Sequence, residues 1–347
     1  MTMGTMVMIF FFYRWTRRRE PEVVVLPPTK QEIQQAISTW FAGIAGDGVI
    51  DCDTVGEHVE TGRWIDLNQG HAYLRQVKTK PHFYVSVHHK EHDLVRWQNI
   101  FEKGDDNEHK VRKNFEYILG ESNAQYKSNG STLPVVVDIG GNVGYYSLLS
   151  AAWKHAVVTF EINPTNVVRL CESLRFNREP MHVRIHRLGV SNTTGARYDI
   201  DLPSDPGAAS LDKASKAASI EHGITESKFS VSTVTLDDFA KERKWFERKD
   251  LSIALLKLDT EGHEGQILQG AKKFFRHRLA KNVILEYRST CREAATILLD
   301  AGYVIVDDAV HAKRMLSRKE SEVVVDALAA NKHVTDLWFR QSNLPLT

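Results

Sequence analysis

The chain has 347 residues, enough for one large domain or two smaller ones, since single cores stop growing near about 250–300 residues. Its 45 Lys+Arg and 44 Asp+Glu are interspersed, which excludes the basic field that general nucleic-acid binding requires. Three cysteines, Cys52, Cys171 and Cys291, are an odd number without close spacing, so they suggest neither a disulfide framework nor a thiolate zinc site, and a reducing compartment fits them best.

The start, "MTMGTMVMIFFFYRWTRRREPEVVVLPP", stands apart in composition. Its apolar run Met6 to Tyr13 is shorter than the roughly 20 residues a membrane-spanning helix needs. Arg14, Arg17, Arg18 and Arg19 follow that run, whereas a secretory signal places its charge first. Residues 1–30 read as a mobile tail of a cytoplasmic protein. Contact with a membrane surface through residues 6–19, or targeting to an organelle, is the alternative and is not expected. Residues 31–126 read as a mainly helical prefix that packs on the core. Ile33, Ile37, Phe41 and Ile44 recur at helical spacing, as do Val111, Phe115, Ile118 and Leu119, and "HFYVSV" between them reads as a short strand.

After residue 130 short apolar runs alternate with amphipathic helices: 135–139, 156–161, 183–190, 253–259, 282–288 and 303–308. Strands this uniformly apolar need both faces covered, which predicts a doubly wound α/β fold with a mostly parallel sheet. Asn163-Pro164 predicts an N-cap and first helical turn, Thr290 to Glu293 a capping box, and Gly302 a C-cap. The long insertion between Ser191 and Asp237 contains "DLPSDPGAAS", which reads as a flexible surface loop placed to cover the pocket.

In such a sheet the ligand binds beyond the carboxyl ends of the strands. There "VVVDIGGNVGYYS" leads from a strand through Asp138 into a glycine turn. A dinucleotide turn needs G-x-G-x-x-G, and Ile139 stands where its first glycine belongs. Asp138 would also repel a pyrophosphate. S-adenosylmethionine, with a sulfonium, an ammonium, one carboxylate and no phosphate, suits the turn better. Gly140, Gly141, Asn142 and Gly144 then let the backbone approach the cofactor, and Glu161, at the tip of the next strand, is placed to accept ribose hydroxyls, with Asn163 beside it.

"DIGGNVGYYS" resembles the D-[IV]-G-A-N-[IV]-G-x-x-[ST] turn of FkbM-type S-adenosylmethionine-dependent methyltransferases, and "LLKLDTEGHEGQILQGA" resembles that family's K-[IL]-D-x-E-G-x-E motif. Gly141 departs from the family's usual alanine. The resemblance extends more weakly over about residues 93–340. It implies a class I, Rossmann-like methyltransferase domain over 127–345 with a mostly parallel seven-stranded sheet. It further implies methyl transfer by direct displacement to a hydroxyl of a sugar, glycan or natural-product acceptor. Residues 1–80 match no pattern.

Candidates for the proton acceptor are Asp259, Glu261 and His263. Were the chain extended there, the two acids would face the same way. The competing reading has Glu261 and Glu264 serving a helix N-terminus, with Lys257 paired to one of them. Glu108 and Asn107 are weaker candidates for contacts from the prefix, and Tyr145 and Tyr146 read as core. His88 and His92 have helical metal-pair spacing but no further ligand nearby, so they read as a solvated face and no metal is expected. Oligomeric state stays open. Two other functions remain, a nicotinamide-dependent oxidoreductase on the same architecture and a non-catalytic nucleoside-binding module.

Overall fold

A computed structural model describes residues 49–50, 52, 73–91, 93–106, 108–129, 133–177, 182–201, 206–211, 215–216, 228–308, 313–332 and 334–346. The tail 1–30, the helix expected around Ile33–Ile44, Asn107, His92 and much of the segment after Asp201 lie outside these residues.

In chain order the strands and helices begin with β1 (Val49–Ile50) and a hairpin of β2 (Tyr73–Gln76) and β3 (Tyr84–Val87). A π-helical turn, Trp97–Glu102, leads to α1 (His109–Asn129) and β4 (Leu133–Ile139). Then come α2 (Tyr145–Ala152), β5 (Ala156–Phe160), α3 (Pro164–Phe176), β6 (Val183–His186) and β7 (Gly189–Val190). The next segment holds β8 (Arg197–Asp201), β9 (Ser215–Lys216), β10 (Lys228–Val234) and α4 (Leu236–Glu242). The last part holds β11 (Leu251–Leu258), α5 (Glu264–Gln269), α6 (Lys272–Arg276), β12 (Ala280–Tyr287), α7 (Arg292–Asp300), β13 (Tyr303–Asp307), β14 (Arg314–Met315), α8 (Arg318–Ala330) and β15 (Thr335–Gln341).

The main sheet is ordered β1-β6-β5-β4-β11-β12-β15-β13-β14. It is mixed and nine-stranded among the described residues, which corrects the expected mostly parallel seven. The run β6-β5-β4-β11-β12 is parallel throughout. β15 inserts antiparallel between β12 and β13, while β1 and β14 add antiparallel edges. The α/β class itself holds, and its cause is visible in β4. Val135 and Val137 pack into one apolar cluster and Val136 into the other, so successive side chains of a single strand are buried on opposite faces. The hairpin and α1 belong to the second cluster, where Phe83, Val85 and Phe115 meet Leu148.

The insertion between Ser191 and Asp237 carries more than its loop, because β8, β9 and β10 join β7 in a second, four-stranded sheet ordered β7-β10-β8-β9. Two local expectations need correction. The capping box at Thr290 is absent, because Ser289–Cys291 forms a 3₁₀ turn and α7 begins at Arg292 without a side-chain cap. Cys52 is bonded to Cys171 on α3 across 119 residues, leaving Cys291 as the free thiol. By contrast Asn163 caps α3 as expected, accepting from Thr165 N, and Gly302 has the positive φ of +83° that suits a residue ending a helix. No helix among the described residues is long and apolar enough to cross a membrane.

Candidate active site

The chain runs outward from β4 to β5 and β6 on one side of the sheet, then returns to β11 and β12 on the other. The connections that leave the carboxyl ends of the paired strands β4 and β11 therefore lead to opposite sides of the sheet, at the reversal of strand order where α/β sheets bind ligands. A pocket of about 800 Å³, including its open mouth, lies there. Ile139 to Val143, Phe160 to Ile162, and Lys257 with Asp259 to Glu261 form its walls.

The turn is shaped by internal packing. Gly140 has φ +86°, and a Cβ on it would lie 1.7 Å from the Asp259 carbonyl oxygen. A Cβ on Gly141 would lie 2.3 Å from Thr159 Oγ1, and one on Gly144 would lie 2.2 Å from Leu170 Cδ1. These glycines let β4, β5, β11 and α3 converge at one point, and Gly140 and Gly141 also line the pocket. Asn142, at φ +50°, donates its backbone N–H to Glu161 Oε2 at 2.7 Å, while Glu161 Oε1 accepts from Asn163 N at 2.8 Å. Burial pushes the Glu161 carboxyl up to about 7 against those bonds.

Three expected contacts stand behind the wall. Gly144 faces Leu170, and Asn163 is spent on capping α3 and on the Pro206 carbonyl. Asp138 is buried, accepts from Ser147 Oγ at 2.6 Å through Oδ2, and has no hydrogen bond to Oδ1 among the described residues. Burial raises its proton affinity and Lys257 counters it. Asp138 thus sits in the sheet under the turn, a neighbour of Lys257 by strand register.

At the opposite wall Lys257, almost fully buried, donates to Asp259 Oδ2 at 2.8 Å. Burial alone would raise the Asp259 carboxyl, but Lys257, Arg96 and Arg288 bring it below the ordinary carboxylate range. The chain is not extended after Asp259. Glu261 has φ +58° and Gly262 φ +113°, so Glu261 turns aside and pairs with Arg288 at 3.0 Å. Glu264 is buried and draws the turn closed by accepting from Thr260 N, Thr260 Oγ1 and Gly262 N. His263 lines the pocket with Nε2 3.0 Å from Ser191 Oγ.

The prefix supplies groups that the sequence reading weighed lightly or missed. Arg96, Asp106 and Glu108 line the pocket. Tyr145 donates to Asp105 at 3.0 Å and Tyr146 to Glu108 at 2.9 Å, which fastens the prefix to the helix after the turn. Both tyrosines line the pocket as well as packing in the core. Burial, with Asp106 beside it, raises the Glu108 carboxyl. The segment after β7 also reaches the pocket, through Gly207, Ala209 and Leu211.

His88, expected on a solvated face, is instead buried and lies 2.8 Å from Asn166 Oδ1. Asp259, Glu264 and Glu286 bring carboxylate oxygens within 4.8 Å of one another. Each is engaged by the protein: Asp259 by Lys257, Glu264 by the 260–262 backbone, and Glu286 by Arg288 through both oxygens.

Comparison with known proteins agrees with the motifs. No curated protein matches the chain. Among solved structures it is similar to WbdD, with 11% identity and a TM-score of 0.36, covering 74% of this chain and 46% of that one. The chain thus spans under half of WbdD's length. A SAM-dependent methyltransferase from Agrobacterium tumefaciens is similar at 11% identity and a TM-score of 0.36, with 78% of this chain and 71% of that one covered. Residues 138–305 match the model of the methyltransferase FkbM domain, bearing out the resemblance, and the chain therefore carries a methyltransferase domain of the FkbM type.

Proposed function

We propose that the protein methylates a hydroxyl oxygen of an uncharged sugar, glycan or natural-product acceptor, using S-adenosylmethionine. The supporting observation is the charge of the pocket. Asp106, Glu108, Glu161, Asp259 and Glu261 line it against only Arg96 and Lys257 among the described residues, five carboxyls to two cations. That balance suits a sulfonium donor and disfavours a pyrophosphate or a phosphorylated acceptor.

The residues present fit such a donor. Glu161 would take a ribose hydroxyl through Oε2, which keeps a lone pair after accepting from Asn142 N, whereas Oε1 accepts from both Asn163 N and Asn166 Nδ2. Ile162, Leu188, Val190 and Leu211 offer an apolar slot for a flat base. Asn142 and the backbone of Gly140 and Gly141 border the remainder. The bound donor would supply an electrophilic methyl whose leaving thioether is neutral, so the chain has no leaving group to protonate.

The protein must then orient the acceptor oxygen and take its proton. Asp259, held ionised by Lys257, is suited to orient a hydroxyl by accepting its hydrogen bond. Glu108, whose proton affinity is raised by burial, is the better proton acceptor of the two, with Tyr146 fixing one of its oxygens. Glu261 and His263 border the acceptor side. Incubation with methyl-labelled S-adenosylmethionine and a panel of neutral methyl glycosides, their 6-phosphates and simple amines tests the reading. Label on oxygen of the neutral glycosides is expected, and label on amines or phosphorylated sugars alone would contradict it.

A further inference from the structure

The two motifs are joined by one buried ammonium. Lys257 lies on β11 directly beside Asp138 of β4 in strand register, and its Nζ is 2.8 Å from Asp259 Oδ2. Three carboxylates from three segments face it, Asp138 under the glycine turn, Asp259 at the end of its own strand and Glu108 from the prefix. The Tyr146 ring lies 5.3 Å from the same nitrogen. Beyond this ring of groups, Arg96 and Arg288 act on Asp259, Asp106 on Glu108, and Glu108, Asp259 and Lys257 on Asp336. The backbones at the two motifs also touch. Asp259 N donates to Ile139 O at 3.1 Å, and the Asp259 carbonyl occupies the space that a side chain on Gly140 would need.

We propose that Lys257 is a positioning residue that couples the two motifs, holding Asp138 and Asp259 as an ionised pair so that the donor-side turn and the acceptor-side acid keep one fixed relation. This rests on the reading that S-adenosylmethionine occupies the pocket. Without the ammonium, two buried carboxylates would repel each other across neighbouring strands. Any shift of Asp259 to relieve that repulsion passes to the turn, because Gly140 leaves no slack against its carbonyl. Protonation of one carboxyl would remove the repulsion, so the defect must depend on pH. A lysine that merely filled space would give no such dependence and would be replaced equally well by methionine.

The test is calorimetric titration with S-adenosylhomocysteine, run alongside thermal melts, on the wild-type chain, Lys257→Met, Lys257→Arg and Lys257→Met/Asp138→Asn. Lys257→Met is expected to bind about tenfold or more weakly at about pH 8.5 and to recover part of that loss at about pH 6, where carboxyls of raised proton affinity take up a proton. Lys257→Arg, which keeps the charge, is expected to lose only about threefold. The double variant removes one of the repelling charges and is expected to regain folding and binding even where the single variant does not fold. The proposal is overturned if folded Lys257→Met binds as the wild type does at both pH values. A double variant as defective as the single one overturns it too. A wild-type chain that does not bind the thioether nucleoside would instead remove the reading on which the proposal rests.

Discussion

Gly140 and Asp259, 119 positions apart, meet with no room for a single carbon between them: a Cβ on Gly140 would stand 1.7 Å from the Asp259 carbonyl oxygen. The turn bordering one side of the pocket is thus built against the acid on the other. Gly140→Ala adds a positive-φ penalty at +86° to that clash. A loss of roughly 3 kcal/mol or more is expected, measured as the shift in urea midpoint at unchanged slope.

Gly141, where FkbM relatives usually carry alanine, makes a second prediction. A Cβ there meets Thr159 Oγ1 at 2.3 Å, yet Thr159 Cβ only at 3.6 Å. The buried Thr159 hydroxyl has no hydrogen-bond partner among the described residues. Gly141→Ala alone should therefore destabilise the protein, and Thr159→Ala in the same chain should restore most of the loss. Chemical denaturation of the four proteins should give a favourable coupling of about 1–2 kcal/mol, and strict additivity would contradict the packing account.

Glu161 predicts a pH dependence. Its folded-state proton affinity corresponds to about 7, against 4.5 for an ordinary glutamate, with burial as the main cause. Between those values the native state holds a proton that the unfolded chain has released, so this group's contribution to stability falls as pH rises and levels off above about 7. Relative to wild type, Glu161→Gln should become more stable from about pH 4.5 to about 7.5, by on the order of 3 kcal/mol. A stability difference that is flat with pH would show that the carboxyl ionises normally.

Glu108 separates chemistry from binding. Glu108→Gln keeps the shape of the group and a partner for the Tyr146 hydroxyl. Turnover should fall by about a hundredfold or more, with S-adenosylhomocysteine affinity nearly unchanged. Equal losses in both would make Glu108 a binding residue instead.

The cysteines can be counted. Denatured without reductant, the chain should show one reactive thiol, Cys291, and after reduction three, because Cys52 and Cys171 are bonded. Three thiols before reduction would mean the bridge does not form.

How much the sequence disclosed reflects the range of the forces involved. Apolar runs such as Val135 to Ile139 and Ile253 to Leu258 announce their strands because burial on both faces leaves a local mark. The Asn163 cap and the glycine turn are local too. The second sheet was harder to see. Phe229 and Val231 do alternate inward along β10, but their partner β8 is far off in the chain and carries only Ile200 as a fully buried apolar residue. The bond between Cys52 and Cys171 spans 119 residues and leaves no spacing to read. Arg96 and Lys257 reach the pocket only through tertiary packing. A charged residue in a sequence does not say which carboxylate it will meet, and Lys257 meets Asp259 rather than Glu261 or Glu264.

The most direct test of the central claim is calorimetric titration of the chain with S-adenosylhomocysteine and with NADH, repeated on Glu161→Ala. Micromolar binding of the thioether nucleoside alone, lost in the variant, is the expected result. Binding of NADH instead, or of neither, would contradict the assignment of the pocket to S-adenosylmethionine.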